Sequence, residues 1–203
     1  MSCLLYSTGC GIKHAAIVGG SSVTPYSIPW QVALVDVGGN QPFCGGTLIS
    51  DRHVLSAAHC MGGTFDVIVG EHRISDASDG IRHEICRGTK HPKYNDNSMN
   101  NDFAIIHLKE PVKLGSRAAL ACLPDSSLGG NRLNKKKMTV SGWGTLSAGG
   151  NQPNVLHSVK VKGITNKQCK RLYGGGITGA MLCAGNVKNG GVDSCQGDSG
   201  GKL

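Results

Sequence analysis

Three side chains in this sequence sit in surroundings that suit nucleophilic attack on a carbonyl. Ser199 lies in Asp193-Ser194-Cys195-Gln196-Gly197-Asp198-Ser199-Gly200-Gly201. Glycine has no Cβ, so a turn of this kind can project a hydroxyl while neighbouring backbone N–H groups turn toward a developing oxyanion. His59 stands between small residues and beside a cysteine, in Leu55-Ser56-Ala57-Ala58-His59-Cys60, as a base held on a rigid element would. Asp102, in Asn100-Asn101-Asp102-Phe103-Ala104-Ile105-Ile106, puts a carboxylate at the mouth of an apolar strand. Each has a plainer reading when taken alone: a flexible loop, a satisfied core histidine, a turn or cap residue.

The elements that must position them are short. Gln31 to Val37, Thr47 to Ile49, Val54 to Ser56, Asp66 to Val69 and Phe103 to Leu108 read as strands, apolar or β-branched and punctuated by Gly, Pro, Asn and Asp. Met138 to Ser141, Val155 to Val161 and Met181 to Ala184 form a second group. A helical period is sustained only at Asn166 to Leu172. Many short strands with frequent turns point to an all-β barrel or sandwich. A boundary is expected near Leu123 to Lys137, where Pro, Ser and Gly precede a basic run.

The bulk properties narrow the classes further. With 39% hydrophobic residues, 17% charged residues and 31 glycines, the chain is globular and turn-rich rather than disordered. No apolar run approaches the roughly 18 residues of a membrane span, and Met1 to Cys10 lacks the basic start of a signal peptide. The net charge of +8 is partly local, in Arg132-Leu133-Asn134-Lys135-Lys136-Lys137. Without interleaved aromatics that run reads as a solvated loop rather than a nucleic-acid patch. The nine cysteines show no zinc spacing. Scattered as they are, they favour disulfides and an oxidising compartment. An odd number leaves at least one without an intramolecular partner.

His59, Asp102 and Ser199 occur in the chain order of the chymotrypsin-like serine proteases. The resemblance extends to Ile17-Val18-Gly19-Gly20, Cys44-Gly45-Gly46-Thr47-Leu48-Ile49, Ala57-Ala58-His59-Cys60, Asn101-Asp102-Phe103-Ala104, Ser141-Gly142-Trp143-Gly144 and Gly197-Asp198-Ser199-Gly200-Gly201. It therefore runs from Ile17 to the end of the chain. The resemblance implies two packed six-stranded antiparallel β-barrels, the first over about residues 17–123 and an incomplete second over about 124–203, after a propeptide at 1–16. It implies Ser199 as nucleophile, His59 as general base and Asp102 as its orienting partner. Backbone N–H groups of Gly197 and Ser199 would form the oxyanion hole, and no metal or organic cofactor is required. Asp193 matches the pocket aspartate of trypsin-like members. With Ser194 and Gln196 lining the same pocket, it implies cleavage after Arg or Lys.

The resemblance also implies a secreted zymogen, in which the new amino group of Ile17 pairs with Asp198 after cleavage. Ala15-Ala16 precede Ile17 where most trypsin precursors have Arg or Lys, so the activating protease is expected to prefer small residues and cut after Ala16. Cys44 is expected to pair with Cys60, closing a loop of about 17 residues worth roughly 3 kcal/mol, and Cys169 with Cys183. Cys122 is expected to hold the propeptide through Cys3 or Cys10. Cys195 has its usual partner beyond Leu203, Cys86 has none that the family assigns, and Met138 replaces a frequent cysteine. The chain is accordingly expected to be part of a longer one. Expected partners are protein substrates, the activating protease and protein inhibitors. Neither nucleic acid nor membrane is expected, and the protein should be monomeric. Gly70-Glu71-His72-Arg73-Ile74-Ser75-Asp76 resembles the start of the family's calcium loop, although Asp76 and Asp79 do not align cleanly with it. A non-catalytic homologue, or an inactive truncated product, acting as a binding or regulatory module is the alternative.

Overall fold

The period of two that defines a half-buried strand becomes, at Gln31–Asp36, a strand buried on both faces. Val32 and Leu34 point into one apolar cluster, while Ala33 and Val35 point into another. The computed structural model describes residues 20–125, 130–146, 150–185 and 199–200. Its strands in chain order are β1 (Ser21–Ser22), β2 (Gln31–Asp36), β3 (Pro42–Ser50), β4 (His53–Ser56), β5 (Phe65–Val69), β6 (Ile81–Lys90), β7 (Ala104–Leu108), β8 (Lys137–Gly142), β9 (His157–Ile164) and β10 (Cys183–Ala184).

Antiparallel pairing closes a barrel in the order β2-β3-β4-β7-β6-β5. Val32, Leu34, Leu48, Val54, Val67 and Ile106 fill it, each with no exposed surface. Ladder irregularities at Leu34/Val35, Leu48/Ser50 and Ile85/Arg87 supply the local bends that closure of a small barrel needs. The second sheet does not close: β9 pairs β8 along one edge, with β1 and β10 along the other. Val140, Val159 and Val161 cover its inner face. One helix, α1 (Asn166–Tyr173), starts where Thr165 accepts a hydrogen bond from the Gln168 N–H and ends at Gly174, whose φ of 68° suits glycine.

Trp143 joins the two sheets. It is fully buried against Ala33, Val35, Ile68 and Leu156, and its indole N–H donates to the His72 carbonyl at 3.2 Å. Emptying a site of that size costs a core about 3–5 kcal/mol. Around it, Leu156 N–H also donates to His72 O at 2.9 Å, and the buried Ser141 hydroxyl donates to Gln31 Oε1 at 2.8 Å. The polar groups that cross between the sheets are therefore paired, as burial demands.

The all-β expectation stands, and the expected strands lie within a few residues of those observed. β6 was not expected. Its sequence, Ile81-Arg82-His83-Glu84-Ile85-Cys86-Arg87-Gly88-Thr89-Lys90, is mostly polar and exposed, and the bulge at Cys86 breaks its alternation. Barrel closure between β5 and β7, not its own pattern, makes it a strand.

Candidate active site

The pairing of β4 with β7 sets the first half of the site. Ser56 lies opposite Ala104, so the chain leaving β4 and the chain entering β7 run side by side. Three residues after Ser56, a single 3-10 turn (Ala58–Cys60) carries His59. Two residues before Ala104, Asp102 occupies the centre of a three-residue turn closed by Phe103 N–H to Asn101 O at 2.8 Å. The Asp102 carboxylate is buried and takes two hydrogen bonds from His59. The backbone N–H donates to Oδ1 at 2.8 Å, and Nδ1 lies 2.6 Å from Oδ2. This double contact holds the ring in one orientation and makes Nδ1 the protonated nitrogen facing the carboxylate. Nε2 is left as the base, on a side chain that is 31% exposed and so can be reached.

The disulfide Cys44–Cys60 ties β3 to the turn that carries His59. Its Cys60 Sγ lies 3.6 Å from His59 Nε2 and 3.9 Å from the Ser199 carbonyl oxygen. Both the Ser199 backbone and the histidine ring therefore lie against this disulfide. Ser199 is seated on β3: its carbonyl accepts from the Gly45 N–H at 2.7 Å, while the Gly45 carbonyl accepts from the buried Ser56 hydroxyl at 2.8 Å. Gly200 follows with φ +79°. A Cβ there would lie 2.3 Å from Ser56 Oγ, 2.5 Å from Gly45 O and 2.9 Å from Ala57 N.

The structure thus puts His59 against Asp102 and seats the Ser199 backbone against Gly45 and Cys60. Ile17, Asp193, Ser194, Gln196, Gly197 and Asp198 lie outside the described residues, as do Cys3, Cys10 and Cys195. Cys44–Cys60 and Cys169–Cys183 are disulfides, whereas Cys86 and Cys122 are exposed and unpaired among the described cysteines. Sequence reasoning missed the seat made by Gly45 and Ser56. Two glycines inside an otherwise apolar strand were the available signal, since glycine in a strand marks close approach of another backbone. It also missed the tie from Thr178 Oγ1 to Asn100 Oδ1 at 2.6 Å, which anchors the Asp102 loop to the segment after α1.

The loop from Glu71 to Asp79 is closed by its own donors. Asp79 Oδ2 accepts from the N–H groups of His72 and Arg73 at 3.0 and 2.6 Å, and its other oxygen accepts from the Tyr26 hydroxyl. Asp76 Oδ1 accepts from the Ser78 hydroxyl and N–H. Calcium takes six to eight oxygens, and here these carboxylates are committed to N–H and O–H groups, with Glu71 Oε1 buried and unpartnered. Asp79 is thus taken up within the loop, and Glu71 keeps a buried carboxylate oxygen without a protein partner. Among the described residues, the only group of potential metal ligands that converges is Cys44, His59 and Cys60, two of them already joined as a disulfide.

Burial, reinforced by the charges of Asp79 and Asp76, pushes the Glu71 carboxyl up to about 7. Its folded value lies above the ordinary 4.5, so the native state holds the proton more tightly than the unfolded chain does. Stability therefore falls as pH rises from about 4.5 to about 7 and levels off above that. Glu71→Gln removes the charge at constant shape. The melting temperature of the variant minus that of the native protein should widen across this window and then hold constant. Added calcium should not close the gap, and a pH-independent gap would refute the assignment.

A family model described as Trypsin matches residues 17–203. The chain is 41% identical over 190 residues to "Trypsin" of Sus scrofa, covering 92% of this chain and 78% of that one. It is 39% identical over 193 residues to "Kallikrein-8" of Homo sapiens, covering 92% and 71%. A solved structure of neuropsin, described as a serine protease expressed in the limbic system of mouse brain, superposes with a TM-score of 0.80 at 35% identity, covering 90% of this chain and 79% of that one.

Proposed function

Because the chain belongs to the trypsin family of serine endopeptidases, we propose that it is a secreted enzyme that cleaves after Arg or Lys and is made as a zymogen. The observation that carries the catalytic reading is the buried Asp102 carboxylate holding His59 by both its backbone N–H and Nδ1, with the Ser199 carbonyl seated at the disulfide next to that histidine. His59 Nε2 takes the hydroxyl proton as Ser199 Oγ attacks the peptide carbonyl, and the tetrahedral oxyanion is met by the N–H groups of Gly197 and Ser199. The proton then passes to the leaving amine. Water, deprotonated by the same nitrogen, releases the acyl group and restores the serine. Nothing in this cycle calls for a metal or an organic cofactor.

Asp193, flanked by Ser194 and Gln196, supports the choice of Arg or Lys, since a carboxylate in a desolvated slot pairs with a cationic side chain. Activation is assigned to cleavage after Ala16, which frees the Ile17 amino group to pair with Asp198 and complete the site. N-terminal sequencing of the mature enzyme should begin at Ile17. The disulfides Cys44–Cys60 and Cys169–Cys183 agree with an extracellular location. Protein substrates, the activating protease and protein inhibitors are the partners of the monomer.

The test uses the full-length activated enzyme. A serine-directed phosphonate should label Ser199, and chromogenic peptides should be cut after Arg and Lys far faster than after Phe or Ala. Asp193→Ser should abolish that preference while the label is retained. Labelling without any Arg or Lys preference overturns the specificity, and absence of labelling overturns catalysis in favour of a binding module.

A further inference from the structure

The positive charge of this chain belongs entirely to one segment. Residues 126–192 contain ten Lys and Arg and no Asp or Glu, whereas the remainder has eleven Lys and Arg against thirteen acidic residues. In the fold this segment supplies β8, β9 and α1. Pairing of β8 with β9 sets Lys137 directly opposite Lys162, and Thr139 opposite Lys160. Val140, Val159 and Val161 turn inward, so Lys137, Lys160 and Lys162 stand together on the outer face, all exposed. Like charges placed directly opposite destabilise a sheet, and among the described residues no carboxylate pairs with any of these three ammonium groups.

The preceding loop adds two more. Lys135 N–H donates to Gly163 O at 2.8 Å and Gly163 N–H donates to Lys136 O at 2.9 Å, which clamps the basic turn against β9 beside Lys162. The clamp requires glycine, because a Cβ at position 163 would stand 2.0 Å from the Leu133 carbonyl oxygen. Lys135 is held at φ 61°, a conformation lysine rarely adopts. Lys137, Lys160 and Lys162 are thus fixed on one ridge two strands wide, with the exposed Lys135 and Lys136 in the turn clamped at its end. Neighbouring strands are about 5 Å apart and alternate residues along a strand about 7 Å apart.

We infer that this ridge is a binding site for a linear sulfated polysaccharide, separate from the catalytic centre. A narrow row of fixed ammonium groups matches a chain of sulfates and carboxylates better than a planar membrane. β8 and β9 carry no Phe, Tyr or Trp on which nucleic-acid bases could stack. Binding releases the counterions and offsets the repulsion between Lys137 and Lys162, so affinity must fall steeply with salt.

Heparin is the probe, with the full-length enzyme measured across a sodium chloride series. Lys137→Gln/Lys160→Gln/Lys162→Gln should lower the slope of log affinity against log salt by about 2–3. Lys90→Gln/Lys93→Gln/Lys113→Gln removes the same charge from exposed positions elsewhere and should leave most of the slope intact. Hydrolysis of a small ester serves as the check that both variants are folded. Equal losses in the two variants, or none in either, overturn the site by reducing it to net charge. Duplex DNA or anionic phospholipid vesicles that displace the enzyme better than free heparin of equal charge overturn the assigned class of ligand.

Discussion

Asp102→Asn is expected to lower kcat by about 10⁴-fold with little change in KM or in folding, the size known for this substitution in the trypsin triad and taken over from it. The geometry here gives the reason. His59 presents two groups to residue 102, its backbone N–H at 2.8 Å from Oδ1 and its Nδ1 at 2.6 Å from Oδ2. The N–H can only donate, so the oxygen of the asparagine amide must face it. The amide NH2 is then left facing Nδ1 and donates to it, which drives the ring proton to Nε2. Nε2 is the nitrogen that must accept the Ser199 proton, so the base is lost while the ring stays in place. Steady-state kinetics on an Arg ester, with a thermal melt as the control, measures the effect. A loss below about tenfold would mean that Asp102 does not set the tautomer.

Gly200→Ala is expected to lower kcat by more than about 10²-fold through displacement of Ser199, since a misplacement near 1 Å suffices for that. Three atoms surround the new Cβ at 2.3, 2.5 and 2.9 Å, and two of them are backbone, Gly45 O in β3 and Ala57 N just past the end of β4. The φ of +79° adds about 1–2 kcal/mol for any residue with a Cβ. The chain must therefore leave β3 and break the Gly45 N–H to Ser199 carbonyl bond. Adding Ser56→Ala removes only the contact with Oγ, so the double variant should stay impaired. Recovery of activity in the double variant would show that the serine side chain, not the strand backbone, sets the constraint. Barrel stability should be nearly unaffected, because neither Ser199 nor Gly200 belongs to its core.

The basic segment shows how far pattern reading reaches. The run at Lys135-Lys136-Lys137 is visible in the sequence, but Lys160 and Lys162 are more than twenty residues away and look like the polar half of an ordinary alternating strand. Only the register of β8 with β9 puts Lys137, Lys160 and Lys162 on one ridge, and the clamp at Gly163 holds the turn of Lys135 and Lys136 at its end. β6 failed to appear in the sequence for a related reason: its pairing partners supply the strand, and its own residues are mostly exposed.

By itself the sequence determined the chemistry and the class of fold. Residue type sets what a hydroxyl, an imidazole or a carboxylate can do, and period-two patterning sets strands; both are local properties. Tertiary structure decided the distances. His59 and Asp102 are far apart in the chain and meet because β4 pairs with β7; the Ser199 backbone reaches β3 because glycine at position 200 lets two backbones touch. It also decided the state of the Glu71 loop. The sequence offers carboxylates that resemble a calcium site, and the fold turns Asp79 toward Tyr26 and two backbone N–H groups instead. Hydrogen-bond partners in a buried loop are set by which donors the fold brings near. That is a consequence of closing the chain in three dimensions, which no window of sequence contains.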